Sequence, residues 1–151
     1  MSQTIESVPI DQLEPHPANP RQGDVGLIHQ LIEENGWYGS ILVQRATGYI
    51  LVGNHRYKAA KALGFSTLPV EWRDCDDEAA LRILLGDNGS SDAAAYDEPL
   101  LASLLQHLTH TPSGLTGTGK TGDDLDDLLR QINQPITTPT TCGCCGRPLD
   151  G

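Results

Sequence analysis

No run of about 18 apolar residues occurs in this 151-residue chain, so a membrane-spanning helix is not expected. A basic and then apolar leader is also missing, which points away from secretion and toward the cytoplasm. Cysteine is scarce and badly placed for a disulfide scaffold. Of the four cysteines, Cys75 stands alone while Cys142, Cys144 and Cys145 crowd the tail, a distribution that suits a reducing compartment. Basic charge is short too, with 10 Lys and Arg against 20 Asp and Glu for a net charge of -10. The deficit is uneven: residues 1–73 hold six basic and seven acidic groups, residues 74–151 four and thirteen. The second half repels a phosphate backbone, which excludes simple coating of duplex DNA and leaves any nucleic-acid contact to the first half. Trp37 and Trp72 are the only tryptophans, and both read as core packing rather than as base-stacking platforms.

What the chain does have is a strand that breaks at a glycine and restarts as a basic helix, Tyr49-Ile50-Leu51-Val52-Gly53-Asn54-His55-Arg56-Tyr57-Lys58-Ala59-Ala60. Such a junction combines helix amides with a guanidinium fork and suits a phosphate. The bland alternative is a turn glycine before an exposed basic helix. Two further segments favour the site. Asn19-Pro20-Arg21 offers a rigidly held arginine, and Asp87-Asn88 offers a carboxylate and an amide suited to Mg²⁺ or a polar ligand edge.

Around these residues the pattern predicts an α+β unit of roughly 90 residues, within the size of a single domain. Val8, Ile10 and Leu13 predict an opening strand over 6–13, confined to a sheet edge by Pro9. A stiff proline-rich loop covers 15–21. Asp24 caps a helix over 25–34 with Leu27, Ile28, Leu31 and Ile32 inward. A hairpin over 41–52, a helix ending at Leu63, a strand over 67–72 and a helix from Glu78 to about Gly86 complete it. Beyond residue 92 an acidic helical hairpin is expected to residue 131. Leu100, Leu101, Leu104, Leu105 and Leu108 form one apolar face, and Leu125, Leu128 and Leu129 the other. Residues 132–151 read as a flexible tail.

Two motif matches need weighing. Gly114-Leu-Thr-Gly-Thr-Gly119-Lys120-Thr121 satisfies the P-loop pattern letter by letter. A working P-loop needs a buried strand before it and open space for phosphate. Here His107 to Pro112 precedes it and an Asp123-Asp124-Asp126-Asp127 cluster follows, so it reads as an interhelical loop. Cys142-x-x-Cys145 has zinc-ligand spacing. It lacks two ligands, which His107 and His110 or a second copy of the chain would have to supply; loose tail cysteines are the alternative.

His16-Pro-Ala-Asn-Pro-Arg21, Gly53-Asn-His-Arg-Tyr-Lys-Ala-Ala60 and Leu84-Leu-Gly-Asp-Asn88 together resemble the ParB/sulfiredoxin superfamily, in particular the short ParB-like nuclease domains of phages and actinobacteria. Tyr96-Asp97-Glu98, Leu115 to Gly119 and Asp123 to Asp126 match that phage-type group as well, so the resemblance spans about residues 5–130. It implies a small mixed sheet with helices, plus the C-terminal helical hairpin. It also implies bound CTP or ATP with Mg²⁺, and a setting in phage or plasmid DNA metabolism in a bacterial or infected host cell. In partition ParB proteins the second box reads Gly-Glu-Arg-Arg and lies over a CTP triphosphate. By position, Arg21, Gly53, Asn54, His55, Arg56, Lys58 and Asn88 would face the nucleotide or a DNA phosphate, with Asp87 at the metal. In sulfiredoxins the box holds a catalytic cysteine where this chain has Asn54, so no thiol nucleophile is present there. Partition proteins also carry a helix-turn-helix reader, which the acidic residues after 92 do not resemble. Two alternatives stay open, and with them whether the chain is an enzyme. One is a metal-dependent nuclease or nucleotidase using Asp87, His55 and Glu71. The other is an interaction module with a vestigial pocket that dimerises or binds a protein partner through its C-terminal helices.

Overall fold

Among the described residues five strands form one mixed sheet in the order β1-β5-β3-β4-β2, with β1 at Ile5–Pro9, β2 at Glu14–Pro15, β3 at Ile41–Gln44, β4 at Tyr49–Val52 and β5 at Thr67–Arg73. The structure is a computed structural model and describes residues 3–134 and Arg147. β1 pairs antiparallel with β5, β5 parallel with β3, β3 antiparallel with β4, and β4 parallel with β2. Pro9 ends the edge strand β1, where a missing N–H costs no ladder bond. The opening strand is shorter than the sequence predicts. Ile10–Gln12 forms a 3-10 turn, because Ile10 and Leu13 reach the core by turning rather than by continuing the alternation.

The helices are α1 at Val25–Asn35, α2 at Asn54–Ala62, α3 at Asp77–Ala93, α4 at Glu98–Thr109 and α5 at Gly122–Ile132. Among the described residues no helix is long and apolar enough to cross a membrane. The chain divides into two units. The first comprises Met1–Tyr96 with Thr116–Gly119, the second Asp97–Leu115 with Lys120–Gly151.

In the first unit alternation along the strands sets the core. Ile41 and Val43 on β3, Ile50 on β4 and Leu68 and Val70 on β5 are fully buried, together with Tyr57 and Ala60 of α2. Trp37, Phe65 and Trp72 pack on this cluster half-buried, as core residues. Leu51, one position on from Ile50, is buried too, and α3, whose Ala80 and Leu84 are buried, contacts β4. Buried Gln44 ties the end of β3 to the start of α3: its Nε2 donates to Cys75 O at 3.0 Å and to Asp77 Oδ1 at 3.1 Å. Its Oε1 accepts from Thr47 Oγ1 at 2.8 Å. The Thr116–Gly119 segment is held in this unit at Gly117. Gly117 N–H donates to Glu34 Oε2 at 2.6 Å, and Asn35 Nδ2 donates to Gly117 O at 2.8 Å.

In the second unit α4 and α5 pack through Ala102, Leu105 and Leu125, with Leu101, Leu128 and Leu129 beside them. The apolar face of α4 is rotated from the expected one. Leu100 and Leu104 are exposed, because Ala102 joins Leu101 and Leu105 on the face against α5.

Candidate functional site

Gly53 is where β4 stops and α2 starts. Its φ is +100°, and a Cβ there would lie 2.5 Å from Ile41 Cγ2, so the junction admits glycine alone. Among the described residues no side chain caps α2, so no cap takes up its first-turn amides, which carry the positive end of the helix dipole. The first turn lines a pocket of about 350 Å³, a volume ordinary for small-molecule sites. Gly53, Asn54, His55 and Arg56 line it on one side, Arg21 and Asp24 on another, and Asp87, Asn88 and Ser91 of α3 on the third.

The third wall exists because α3 does not end at Gly86. It runs on to Ala93, so Asp87 and Asn88 are helical rather than loop residues. Asn88 follows buried Ala80 and Leu84 at four-residue steps on the inner face and is half-buried. Its Nδ2 donates to Asn19 Oδ1 at 3.1 Å, while Asn19 Oδ1 also accepts from Arg21 N–H at 3.2 Å. Arg21 in turn reaches α3, with Nη1 donating to Asn88 O at 3.5 Å and Nη2 lying 3.4 Å from Asp92 Oδ1. The structure therefore brings Arg21, Asp87, Asn88 and the Gly53 junction together.

Three residues behave differently from the sequence expectation. Asn54 does not turn its side chain to a ligand. The side chain is buried, its Oδ1 accepts from His16 N–H at 2.9 Å and its Nδ2 donates to Ile50 O at 3.0 Å. The residue straps the proline-rich loop to β4 and offers the pocket its backbone. Arg56 is engaged by the loop before β3: Nη1 donates to Tyr38 O at 3.2 Å, Nη2 to Ser40 O at 3.0 Å, and the guanidinium lies 5.4 Å over the Trp37 ring. Only its remaining N–H groups are available to an anion. Lys58 is exposed and is not among the side chains lining the pocket.

His55 lines the pocket, and its Nε2 accepts from Gly23 N–H at 2.9 Å. Desolvation by burial and then the Lys58 charge pull its pKa below the ordinary 6.5, against a raising effect of the Arg21 backbone. The neutral imidazole is favoured, so His55 is a hydrogen-bond partner there rather than a cation. Gly23 was not singled out in the sequence, since nothing marks a glycine beside a helix cap as the partner of a ring 32 residues away. Asp24 was legible only as a cap, which it is: its Oδ1 accepts from Leu27 N–H at 2.9 Å.

The other candidates are scattered. Glu71 lines a separate depression with Ser40, Leu42 and Arg73, so it does not join Asp87 and His55. His107 and His110 are exposed in the second unit, and Cys142 and Cys145 lie outside the described residues. Among the described residues no three His, Cys, Asp or Glu side chains cluster as metal ligands. The P-loop match is a turn after helix α4. Its Thr121 caps α5 in a reciprocal box, with Asp124 N–H donating to Thr121 Oγ1 at 3.2 Å and Thr121 N–H to Asp124 Oδ2 at 2.7 Å. The Thr121 backbone, then its hydroxyl, hold the Asp124 carboxyl below its ordinary pKa. A carboxylate occupies the position a phosphate would need.

Known proteins are similar to this chain in sequence and fold. The chain is 29% identical over 147 residues to the stage 0 sporulation protein J of Bacillus subtilis (strain 168), covering 88% of this chain and half the length of that protein. The crystal structure of a C-terminally truncated chromosome-partitioning ParB from Caulobacter crescentus, complexed with CTP-γ-S, superposes with a TM-score of 0.70. The identity is 25%, with 88% of this chain and 81% of that chain covered. A Pnob8-like ParB-N domain shares the fold at a TM-score of 0.51 and 15% identity, over 87% of this chain and 62% of that one. Residues 1–89, which carry the sheet, the Arg21 loop, the Gly53 junction and α3 as far as Gly89, match the profile of the ParB N-terminal domain, and the chain belongs to that family.

Proposed function

We propose that this chain binds a nucleoside triphosphate, with CTP the first candidate, in the pocket between the Gly53 junction, the Arg21 loop and α3. One observation carries the reading: uncapped α2 amides, Arg21 and Asn88 converge on a single pocket of about 350 Å³. The likeness to the Caulobacter crescentus ParB complexed with CTP-γ-S supports the choice of base. In this reading the α2 amides hold phosphate oxygens and Arg21 adds a charge-assisted hydrogen bond. Two carboxylates, Asp24 and Asp87, share the pocket with Arg21 and Arg56. A bare triphosphate would meet repulsion from Asp87, and a Mg²⁺ ion, if held by that carboxylate, would supply the charge that offsets it.

Binding is favoured over phosphodiester hydrolysis. The candidate nuclease trio does not assemble, since Glu71 lies elsewhere, and His55 already uses Nε2 to hold Gly23. A role in handling DNA in a bacterium or its phage rests on the partition proteins it resembles, and the chain spans only half of its sporulation relative. Exposed Leu100 and Leu104 supply the surface for the partner or self contact expected of the C-terminal helices.

Isothermal titration with CTP, ATP and GTP, with and without Mg²⁺, tests the reading. We expect CTP to bind only with Mg²⁺, and Arg21→Ala to weaken it by about tenfold, the loss of one charge-assisted hydrogen bond. No heat with any nucleotide in a folded sample, or an Arg21→Ala affinity equal to that of the parent chain, overturns it.

A further inference from the structure

We infer that His55 is a positioning residue, a neutral latch that holds the Arg21–Gly23 segment over the pocket and releases it when the imidazole takes up a proton. The geometry fixes the direction of the hydrogen bond. Gly23 N–H can only donate, so Nε2, 2.9 Å away, must be the unprotonated nitrogen and Nδ1 carries the hydrogen. An imidazolium has no lone pair to offer, so protonation ends this bond.

The packing around the latch shows that it is built for close approach. A Cβ on Gly23 would lie 2.8 Å from Cγ and 2.9 Å from Nδ1 and Cδ2 of His55, so the ring lies flush against backbone that only glycine provides. The same segment delivers Arg21 to α3, two residues before Gly23, and starts α1 at Asp24, one residue after it. Releasing Gly23 therefore loosens both the arginine and the cap.

Charges around the ring come from every neighbouring element. Lys58 lies on the same helix, Arg21 on the latched segment, Asp24 at the head of α1 and Asp87 on α3, with Arg56 completing the pocket lining. Lys58 and the Arg21 guanidinium oppose a proton on His55, and desolvation opposes it most; only the Arg21 backbone favours it. The folded-state value is depressed below the unfolded one. Desolvation and the Lys58 charge therefore leave the fold its full stability above pH 6.5, and part of it is lost as pH falls through 6.5 and the lower folded value.

A phosphate-contacting histidine would behave in the opposite way, since protonation would strengthen its hold on an anion. That consequence for ligand affinity rests on the nucleotide reading above, whereas the latch itself does not. The first test therefore uses the free, full chain: NMR titration of the His55 ring, with amide-exchange protection factors for Gly23 at about pH 7.5 and about pH 5.5. We expect His55 to titrate below 6.5 with the Nδ1–H tautomer at high pH, and the Gly23 protection factor to fall three- to tenfold, roughly one hydrogen bond, along the same curve. Unchanged protection while His55 titrates, or a midpoint above 6.5, overturns the latch.

The second test divides the CTP–Mg²⁺ affinity of the parent chain by that of His55→Gln at each pH, which cancels the titration of the nucleotide itself. A ratio that falls toward low pH supports the latch, and one that rises makes His55 a phosphate ligand. If no nucleotide binds, the proposed function fails while the exchange experiment still decides the latch.

Discussion

Asn54 and Arg56 stand two positions apart on the first turn of α2, and both spend side-chain hydrogen bonds on the protein's own backbone. What the turn presents to a ligand is thus chiefly its amides, and their placement depends on Gly53. At φ +100° and with Ile41 Cγ2 2.5 Å from any Cβ, Gly53→Ala adds both backbone strain and a clash with a fully buried side chain. Together these should cost about 3 kcal/mol. Urea unfolding should show a lower midpoint at unchanged slope. A loss under about 0.5 kcal/mol, the range of an ordinary surface substitution, would mean the junction does not need glycine. The residue types at this site were legible in the sequence because a strand, a glycine and basic residues adjoin one another. Their side-chain partners were not. Tyr38 and Ser40 are loop carbonyls, and no pattern announces that a carbonyl 16 or 18 residues away will take a guanidinium.

α3 shows how an element can be hidden by its own composition. Gly86 and Gly89 look like stop signals, and the sequence places the helix end at the first of them. The helix nevertheless runs through both to Ala93. Inward-facing Ala80, Leu84 and Asn88 keep their four-residue step, and the Asn88 side chain and backbone are tied to the Asn19–Arg21 loop. Tertiary contacts override a local helix propensity that costs about 1 kcal/mol per glycine. A Cβ at Gly86 meets nothing within 4 Å, nor does one at Gly89. Gly86→Ala and Gly89→Ala should each therefore stabilise the fold by about 0.5–1 kcal/mol. A thermal midpoint raised by a few degrees is the expected reading, and a lowered one would mean the helix must bend there. The same limit on pattern reading explains α4. Five leucines suggested one face, but Ala102 shares the buried face with Leu105, and Leu100 and Leu104 are left in solvent. The strands β3, β4 and β5, and the cap at Asp24, needed no such correction, because alternation and capping are decided within a few residues.

At the scale of the molecule, charge decides what kind of phosphate this chain can approach. A net charge of -10 is concentrated after residue 73, including the Asp123, Asp124, Asp126 and Asp127 run of α5. Long-range repulsion is screened beyond about 8 Å at physiological salt. A compact nucleotide that enters the pocket with Mg²⁺ is governed by local contacts there: the α2 amides, Arg21 and Asp87. A duplex is different, since it brings a continuous line of phosphates that must meet many surface charges at once, and its affinity comes from counterions displaced by Lys and Arg. With 10 basic residues in the whole chain, several of them already paired with carboxylates, that contribution is small. A labelled duplex of random sequence should therefore show no change in fluorescence anisotropy with the protein at about 0.15 M salt. The nucleotide titration, in the same buffer with Mg²⁺, should still give heat. Duplex binding that weakens steeply as salt rises would reverse this order, showing that the basic groups of residues 1–73 act as one surface strong enough to overcome the acidic half.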